Sequence, residues 1–183
     1  VNVKNSSIAR ESDFCIYTKA GAEIGVASTK AFTAQLSVLL SMAIHVGTTN
    51  KTLSENQNKE ICHEIMKAPT LLEEAIKRSY SLKETAQSII NAKGVMYLGR
   101  GTSFPLALEG ALKFKEISYI HAEGYPAGEM KHGPLALIEK DLPVVCIVPP
   151  GELFHKTVSN IQEVIARGGK ILICLLYTSP SPR

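Results

Sequence analysis

Three short apolar runs in the second half of the chain restrict its fold more than any other feature of the sequence. Residues 95–98 lead into a Gly-Arg-Gly turn, residues 143–148 are followed by two prolines, and residues 170–175 follow two glycines. Unbroken apolar runs are typical of parallel strands that are covered on both faces. Helix-length segments separate the runs, so the spacing predicts βαβ units and an α/β fold.

The segments between these runs carry helix signals. Ser103 is predicted to cap a helix that has Pro105 in its first turn and that ends near residue 119. The glycine-rich residues 122–134 are predicted to be irregular. A further helix is expected over residues 153–167, where a pair of glycines would end it.

The first half of the chain shows one strand signal and several helix signals. A strand is predicted at residues 14–17 and a helix at about residues 29–46. Ser54 and Ser81 each stand three positions before a glutamine or glutamate, which is the capping-box spacing at a helix start. Pro69 should kink or divide the helix that follows Ser54.

These signals predict two α/β domains, each present in part. Residues 1–50 are expected to close a first domain, residues 51–92 to form a helical connector, and residues 93–176 to open a second domain. The chain starts at Val1 without an initiator methionine, and it is expected to begin inside a longer protein and to carry no secretion signal. Residues 177–183 are expected to be a non-native tail.

Composition excludes several classes of partner. The 20 basic and 17 acidic residues are interleaved, and this predicts no nucleic-acid partner. The four cysteines form no C-x-x-C pair and are interpreted as core residues in a reducing cytoplasm. The most apolar stretch, residues 38–46, is shorter than a bilayer span, so no membrane segment is expected. The histidines show no metal-site spacing, and neither a metal nor a cofactor is expected.

Glu109, Lys113 and Glu116 are the first candidate site residues. At 100° per residue, their side chains project within about 60° of one another on one helical face. A solvated face with a Glu–Lys pair would have the same spacing. Alternatively, because the helix follows a strand and ligands collect at the carboxyl ends of parallel strands, a carboxylate here could remove a proton from a sugar carbon beside a carbonyl. Both interpretations stay open on spacing alone.

His132 is the second candidate, in a loop flanked by glycine and proline. A histidine in such a loop is often simply exposed. Its neighbours Glu129 and Lys131 would tune its charge, and it could then act as an acid or a base near neutral pH.

The loop at residues 21–30 is the third candidate. Ser28 or Thr29 could cap the helix that follows. Alternatively, hydroxyls and backbone N–H groups there could bind sugar hydroxyls or a phosphate. Residues 99–103 have a similar strand–glycine–helix layout but match no complete phosphate-binding fingerprint, so they receive little weight.

Three motifs in this order resemble the family of glutamine–fructose-6-phosphate aminotransferases, the glucosamine-6-phosphate synthases. They are GAEIGVASTKAFT at residues 21–33, ALEGALKFKEISYIHAE at residues 107–123, and GEMKHGPLALI at residues 128–138. The resemblance implies sugar isomerase (SIS) domains, three-layer parallel sheets of flavodoxin-like topology. The chain would hold the end of one SIS domain and the beginning of a second.

The resemblance also implies roles for the candidate residues. Glu116 matches the base that moves a proton between carbons 1 and 2 of the sugar phosphate substrate. His132 matches a ring-opening residue that reaches the site of the neighbouring subunit, which implies a homodimer. Lys113 and Glu109 match polar residues that line the same site. Val26, Ser28 and Glu23 match a loop that contacts the sugar.

Parts of the family's machinery are expected outside this chain. A Ser/Thr-rich phosphate loop would precede Val1, a site-closing lysine would follow the tail, and an N-terminal glutamine amidotransferase domain would be missing. The chain alone is therefore expected to be inactive, and its parent protein is expected in the cytoplasm. Two alternatives stay open: a non-catalytic sugar-phosphate sensor, and a glutamine-independent isomerase or deglycase of the same fold.

Overall fold

The computed structural model of the chain describes residues 1–175. Two compact units divide the chain, the first covering Val1–Ala86 and the second beginning at Gln87. The predicted tail at residues 177–183 lies outside the described residues.

The second unit contains a parallel four-stranded sheet. Its strands have the order β2-β1-β3-β4, and each pair of neighbours is parallel. Their bounds are Gly94–Gly99 for β1, His121–Pro126 for β2, Pro143–Ile147 for β3 and Lys170–Cys174 for β4. The three predicted strands are confirmed, whereas the prediction that residues 122–134 are irregular is wrong for β2.

Strand β2 lacks the apolar run that marks the other strands, for a structural reason. It lies at the edge of the sheet, and Ala122 is the only one of its residues that is fully buried. Because an edge strand is covered incompletely, its sequence can hold glycine, proline and charged residues.

Helices cover both faces of this sheet. Helix α5 (Ser103–Ser118) buries Ala111 against Val95, while helix α6 (Phe154–Ala166) buries Ile161 and Val164 in the core that contains Met96. Because neighbouring strand residues point to opposite faces, these two cores lie on opposite sides of the sheet. The predicted three-layer α/β fold is confirmed.

The predicted cap of α5 is wrong. Ser103 is the first residue of the helix and is buried, and Thr102 occupies the cap position without a side-chain cap bond. The close approach of strand β1 determines this turn: a Cβ added at Gly99 would lie 2.1 Å from the carbonyl oxygen of Ser103. At its other end, α5 stops at Tyr119, which has left-handed backbone angles.

The first unit consists of helices and irregular segments, the longest of which covers residues 12–29. Its helices are α1 (Ser7–Glu11), α2 (Lys30–Thr49), α3 (Glu55–Ser79) and α4 (Lys83–Gln87), the last of which crosses the boundary at Gln87. The predicted strand at residues 14–17 is wrong, because that segment is neither helix nor strand and Phe14 is 91% exposed.

One of the three local predictions for α3 and α4 is confirmed. The capping box between Ser54 and Gln57 is confirmed, with both reciprocal hydrogen bonds present. Ser81 lies within the 3-10 helix Tyr80–Leu82 and not at the cap position before α4, and its hydroxyl donates to the carbonyl of Arg78. Pro69 lies inside α3 without dividing it.

Helix α2 is longer than residues 38–46, the apolar stretch whose short length predicted that the chain has no membrane segment. Its 20 residues are long and apolar enough, by length and composition alone, to cross a bilayer. The same length and composition are found in core helices of soluble proteins.

The cysteines differ in accessibility, which allows a direct measurement. Cys146 on β3 is fully buried, and burial raises the pKa of its thiol from 9.0 to about 12. Cys62 on α3 is exposed. Because only the thiolate reacts, we expect a thiol reagent at pH 8 to modify Cys62 at least about 100-fold faster than Cys146.

Peptide mapping by mass spectrometry measures both rates in one sample. In urea the two cysteines should react at similar rates, and fast modification of Cys146 in the native protein would contradict its burial.

Candidate active site

Helix α5 brings Glu109, Lys113 and Glu116 into one ion-pair cluster. Lys113 Nζ lies 2.6 Å from Glu116 Oε2 and 3.6 Å from Glu109 Oε1. The side chains are 23%, 19% and 29% exposed in chain order, so all three are mostly buried but still reached by solvent. The predicted common face is therefore confirmed; we call this group the α5 cluster.

Small residues on the opposite side of α5 explain how this face is presented. Ala107 and Ala111 are fully buried, and a Cβ added at Gly110 would lie 3.0 Å from the ring of Tyr97 on β1. The helix therefore packs closely on the sheet through small side chains, and the longer polar side chains project away from it.

The α5 cluster combines one ammonium group with two carboxyl groups. The hydrogen bond to Glu116 raises the pKa of Lys113, and the attraction of both carboxylates adds to this effect, while desolvation opposes it. Lys113 is therefore a cation at neutral pH. Glu116 uses Oε2 for this contact, and its Oε1 accepts no hydrogen bond from residues 1–175. A carboxylate oxygen is thus available to accept a proton.

The position of Glu116 along the sheet differs from the expectation. Helix α5 connects two parallel neighbours, β1 and β2, so it runs back from the carboxyl end of β1 towards the amino end of β2. Glu116 lies 13 residues after Ser103, about 20 Å along the helix axis. Glu116 is therefore near the amino ends of the strands, and the predicted position at their carboxyl ends is wrong.

His132 lies at the other end of the sheet. It closes the 3-10 helix Ala127–His132, which directly follows the carboxyl end of β2. Its side chain is 76% exposed, and its Nε2 is 3.9 Å from Glu129 Oε2, which is too long for a hydrogen bond. Within residues 1–175 no hydrogen bond or ion pair joins His132 to the α5 cluster.

The loop before α2 has a cap that the sequence did not indicate. Glu23 Oε1 accepts hydrogen bonds from the backbone N–H of Ala31 at 3.1 Å and from the Ser28 hydroxyl at 3.2 Å. Thr29 at the cap position makes no side-chain cap bond. The prediction of a Ser28 or Thr29 cap is therefore wrong, and the carboxylate of Glu23 stabilises the positive end of the helix instead.

Val26 in the same loop is 96% exposed. The first unit also has a cavity of about 670 Å³, which is lined by Ile16, Thr18 and one face of α2. Glu23, Val26 and Ser28 are not among the residues that line it.

Arg100, in the loop at residues 99–103, makes a contact that the sequence did not indicate. Arg100 Nη1 donates a 3.0 Å hydrogen bond to Oδ1 of Asn160, a nearly buried residue of α6. The two residues are 60 positions apart, so no local motif could have indicated the pair. Among residues 1–175, no group of three His, Cys, Asp or Glu side chains could hold a metal ion.

The second unit has a parallel sheet between two helical layers. One of its helices carries acid–base side chains. These features define an α/β protein with a polar site on a helix that flanks the sheet. The profile of the SIS domain family matches residues 1–45 and 88–182. The chain belongs to the SIS domain family.

Several proteins that are similar in sequence share one name. The chain is 56% identical over 173 residues to a glutamine–fructose-6-phosphate aminotransferase (isomerizing) of Bradyrhizobium diazoefficiens and 50% identical to the protein of that name from Bartonella quintana. Each alignment covers 94% of this chain but 28% of the relative. The chain thus spans less than a third of the length of these relatives.

Solved structures show the same fold. The C-terminal domain of glucosamine-fructose-6-phosphate aminotransferase from Francisella tularensis is 48% identical, with a TM-score of 0.93 over 95% of this chain and 49% of that one. A glucosamine-6-phosphate deaminase from Thermotoga maritima is 25% identical, with a TM-score of 0.71 over 92% of this chain and 49% of that one.

Proposed function

We propose that the chain is part of the isomerase region of a glutamine–fructose-6-phosphate aminotransferase. The parent enzyme converts fructose 6-phosphate and glutamine-derived ammonia to glucosamine 6-phosphate. One observation carries the proposal: in a SIS domain, Glu116 has a free carboxylate oxygen and lies 2.6 Å from the ammonium of Lys113. The names of the relatives at 50–56% identity agree with it.

In the proposed reaction, Glu116 is the base. Ammonia first condenses with the C2 carbonyl to form an imine and water. Glu116 then removes a proton from C1; its electron pair forms the C1–C2 double bond, and the imine electron pair moves to nitrogen, which takes up a proton. When the C1 hydroxyl loses its proton, the C1=O bond forms and the C1–C2 double bond takes the proton back from Glu116 at C2, which leaves an aldehyde at C1 and an amine at C2. Lys113 and Glu109 line the site, and the ammonium of Lys113 favours negative charge that develops on the sugar oxygens.

His132 is proposed to open the sugar ring in the site of a neighbouring subunit of a homodimer. Its exposure of 76% leaves the imidazole free to contact another molecule. His132 lies at the carboxyl end of β2, whereas the α5 cluster lies towards the amino ends of the strands. This separation agrees with one chain contributing residues to both active sites of a homodimer. Opening the ring requires a group that moves a proton near neutral pH, which suits a histidine.

The remaining parts of the proposal concern the substrate and the parent protein. Val26, Ser28 and Glu23 are proposed to contact the sugar, since Val26 is exposed and Glu23 and Ser28 are linked at the start of α2. An N-terminal amidotransferase domain of the parent supplies ammonia in the cytoplasm. Because imine formation and the proton transfers that follow involve no external oxidant or reductant, the proposed reaction requires no redox cofactor.

The function is tested by incubating the full-length protein with fructose 6-phosphate and glutamine. We expect glucosamine 6-phosphate and glutamate to form in equal amounts, as measured by mass spectrometry. Thermal stabilisation by fructose 6-phosphate without turnover would instead identify a sensor. Interconversion of the sugars with no use of glutamine would identify a glutamine-independent isomerase or deglycase.

A further inference from the structure

The loop after β1 is tied to helix α6 by the bond between Arg100 and Asn160. Asn160 is 9% exposed, and its Oδ1 accepts from Arg100 Nη1 at 3.0 Å. A hydrogen bond from a guanidinium is stronger than one between neutral groups, so this bond holds Arg100 on helix α6. Arg100 therefore has a defined position over the carboxyl edge of the sheet.

The guanidinium lies against the segment that ends in His132. A Cβ added at Gly128 would lie 3.1 Å from Nη1 and 3.3 Å from Cζ of Arg100. The Gly128 backbone thus packs on the guanidinium, four residues before His132. We call Ala127–His132 the His132 segment.

Other contacts hold the rest of the His132 segment on α6. Ala127 and Met130 are fully buried in the core that contains Ile161 and Val164. Lys131 Nζ pairs with Glu163 Oε1 at 3.0 Å. Since Glu163 and Asn160 are three residues apart on α6, one helical face carries both polar contacts.

We propose that Arg100 is a positioning residue for His132, acting through Asn160 and the Gly128 backbone. The proposal rests on the proposed function, because it requires His132 to act on the sugar. The apolar residues Ala127 and Met130 anchor the segment to the core. The guanidinium lies against the backbone at Gly128, so its loss leaves the direction of the imidazole less restricted.

The test compares variants of the full-length enzyme in the conversion of fructose 6-phosphate to glucosamine 6-phosphate. Arg100→Met and Asn160→Leu are each expected to lower kcat by about 10- to 100-fold, since misplacing a catalytic group by about 1 Å has effects of this size. KM should change less than about threefold, because the phosphate and sugar contacts remain. Asn160→Asp keeps the acceptor for Arg100 and should retain activity within about threefold.

A double variant separates positioning from general stability. In a His132→Asn background, Arg100→Met should change kcat by less than about twofold, because the residue through which Arg100 acts is already lost. A structural defect would multiply with His132→Asn instead. Arg167→Met is the matched control, since Arg167 lies exposed at the end of α6 and should retain full activity.

The outcomes distinguish the two proposals. Full kcat in both Arg100→Met and Asn160→Leu, or multiplicative effects in the double variant, would overturn the positioning role while an impaired His132→Asn enzyme still supports the proposed function. Wild-type kcat in His132→Asn would overturn the site assignment itself. If Arg100→Met does not fold, the contrast between Asn160→Asp and Asn160→Leu decides: equal kcat values would overturn the positioning role.

Discussion

Replacing Glu116 by glutamine in the full-length enzyme is expected to lower the formation of glucosamine 6-phosphate by about 10²–10⁴-fold, the usual contribution of a general base. Glutamine preserves the size of the side chain and an oxygen that can accept from Lys113, 2.6 Å away in the wild type. It lacks the basic oxygen that would take the proton from C1. Hydrolysis of glutamine to glutamate should continue, since it needs no proton transfer at the sugar.

Two measurements make this result specific. In deuterated water the wild-type enzyme should exchange hydrogen at C1 and C2 of the sugar, and Glu116→Gln should not. Glu139→Gln serves as the matched control, because Glu139 is exposed in the same unit and makes no ion pair with residues 1–175. Hydrogen exchange by Glu116→Gln at the wild-type rate would show that another group is the base.

The second large effect is on stability and concerns Gly99 at the end of β1. A Cβ at this position would lie 2.1 Å from the carbonyl oxygen and 2.4 Å from the carbonyl carbon of Ser103, and 2.7 Å from the backbone nitrogen of Phe104. These are backbone atoms of the first turn of α5, so no side-chain rotation can relieve the overlap. We expect Gly99→Ala to lower the free energy of unfolding by about 3 kcal/mol.

The same strand offers the matched control. A Cβ added at Gly94, the first residue of β1, would meet its nearest neighbour, the His121 carbonyl oxygen, at 3.6 Å, which is ordinary contact. Gly94→Ala should therefore change the free energy of unfolding by less than about 1 kcal/mol, and alanine restricts the unfolded chain more than glycine does. Urea denaturation followed by circular dichroism compares the two variants, and equal stabilities would show that the turn after β1 can shift at little cost.

Strands β1, β3 and β4 could be predicted from the sequence, whereas β2 could not. Covered strands require apolar residues on both faces, and such runs are visible without a structure. Strand β2 is recognised only through its pairing with β1, which runs from Gly94 with His121 to Gly99 with Pro126. That pairing depends on residues far from β2 in the sequence.

Helix caps also divide into those that local sequence predicts and those that depend on the tertiary structure. The box between Ser54 and Gln57 is a local arrangement of side chains within one turn, and it was predicted correctly. The cap at α2 comes instead from Glu23, whose carboxylate accepts a hydrogen bond from the backbone N–H of Ala31, eight residues later. At α5 the helix has already begun at Ser103, and Thr102 occupies the cap position.

What the sequence by itself determined is the α/β class, through the apolar runs, and the shared face of Glu109, Lys113 and Glu116, through the period of the helix. Only the tertiary structure decided where that face lies along the sheet, because the return direction of α5 depends on the pairing of β1 with β2. It alone brought Arg100 to Asn160 and Gly128, since contacts between distant segments arise from packing and have no local signature.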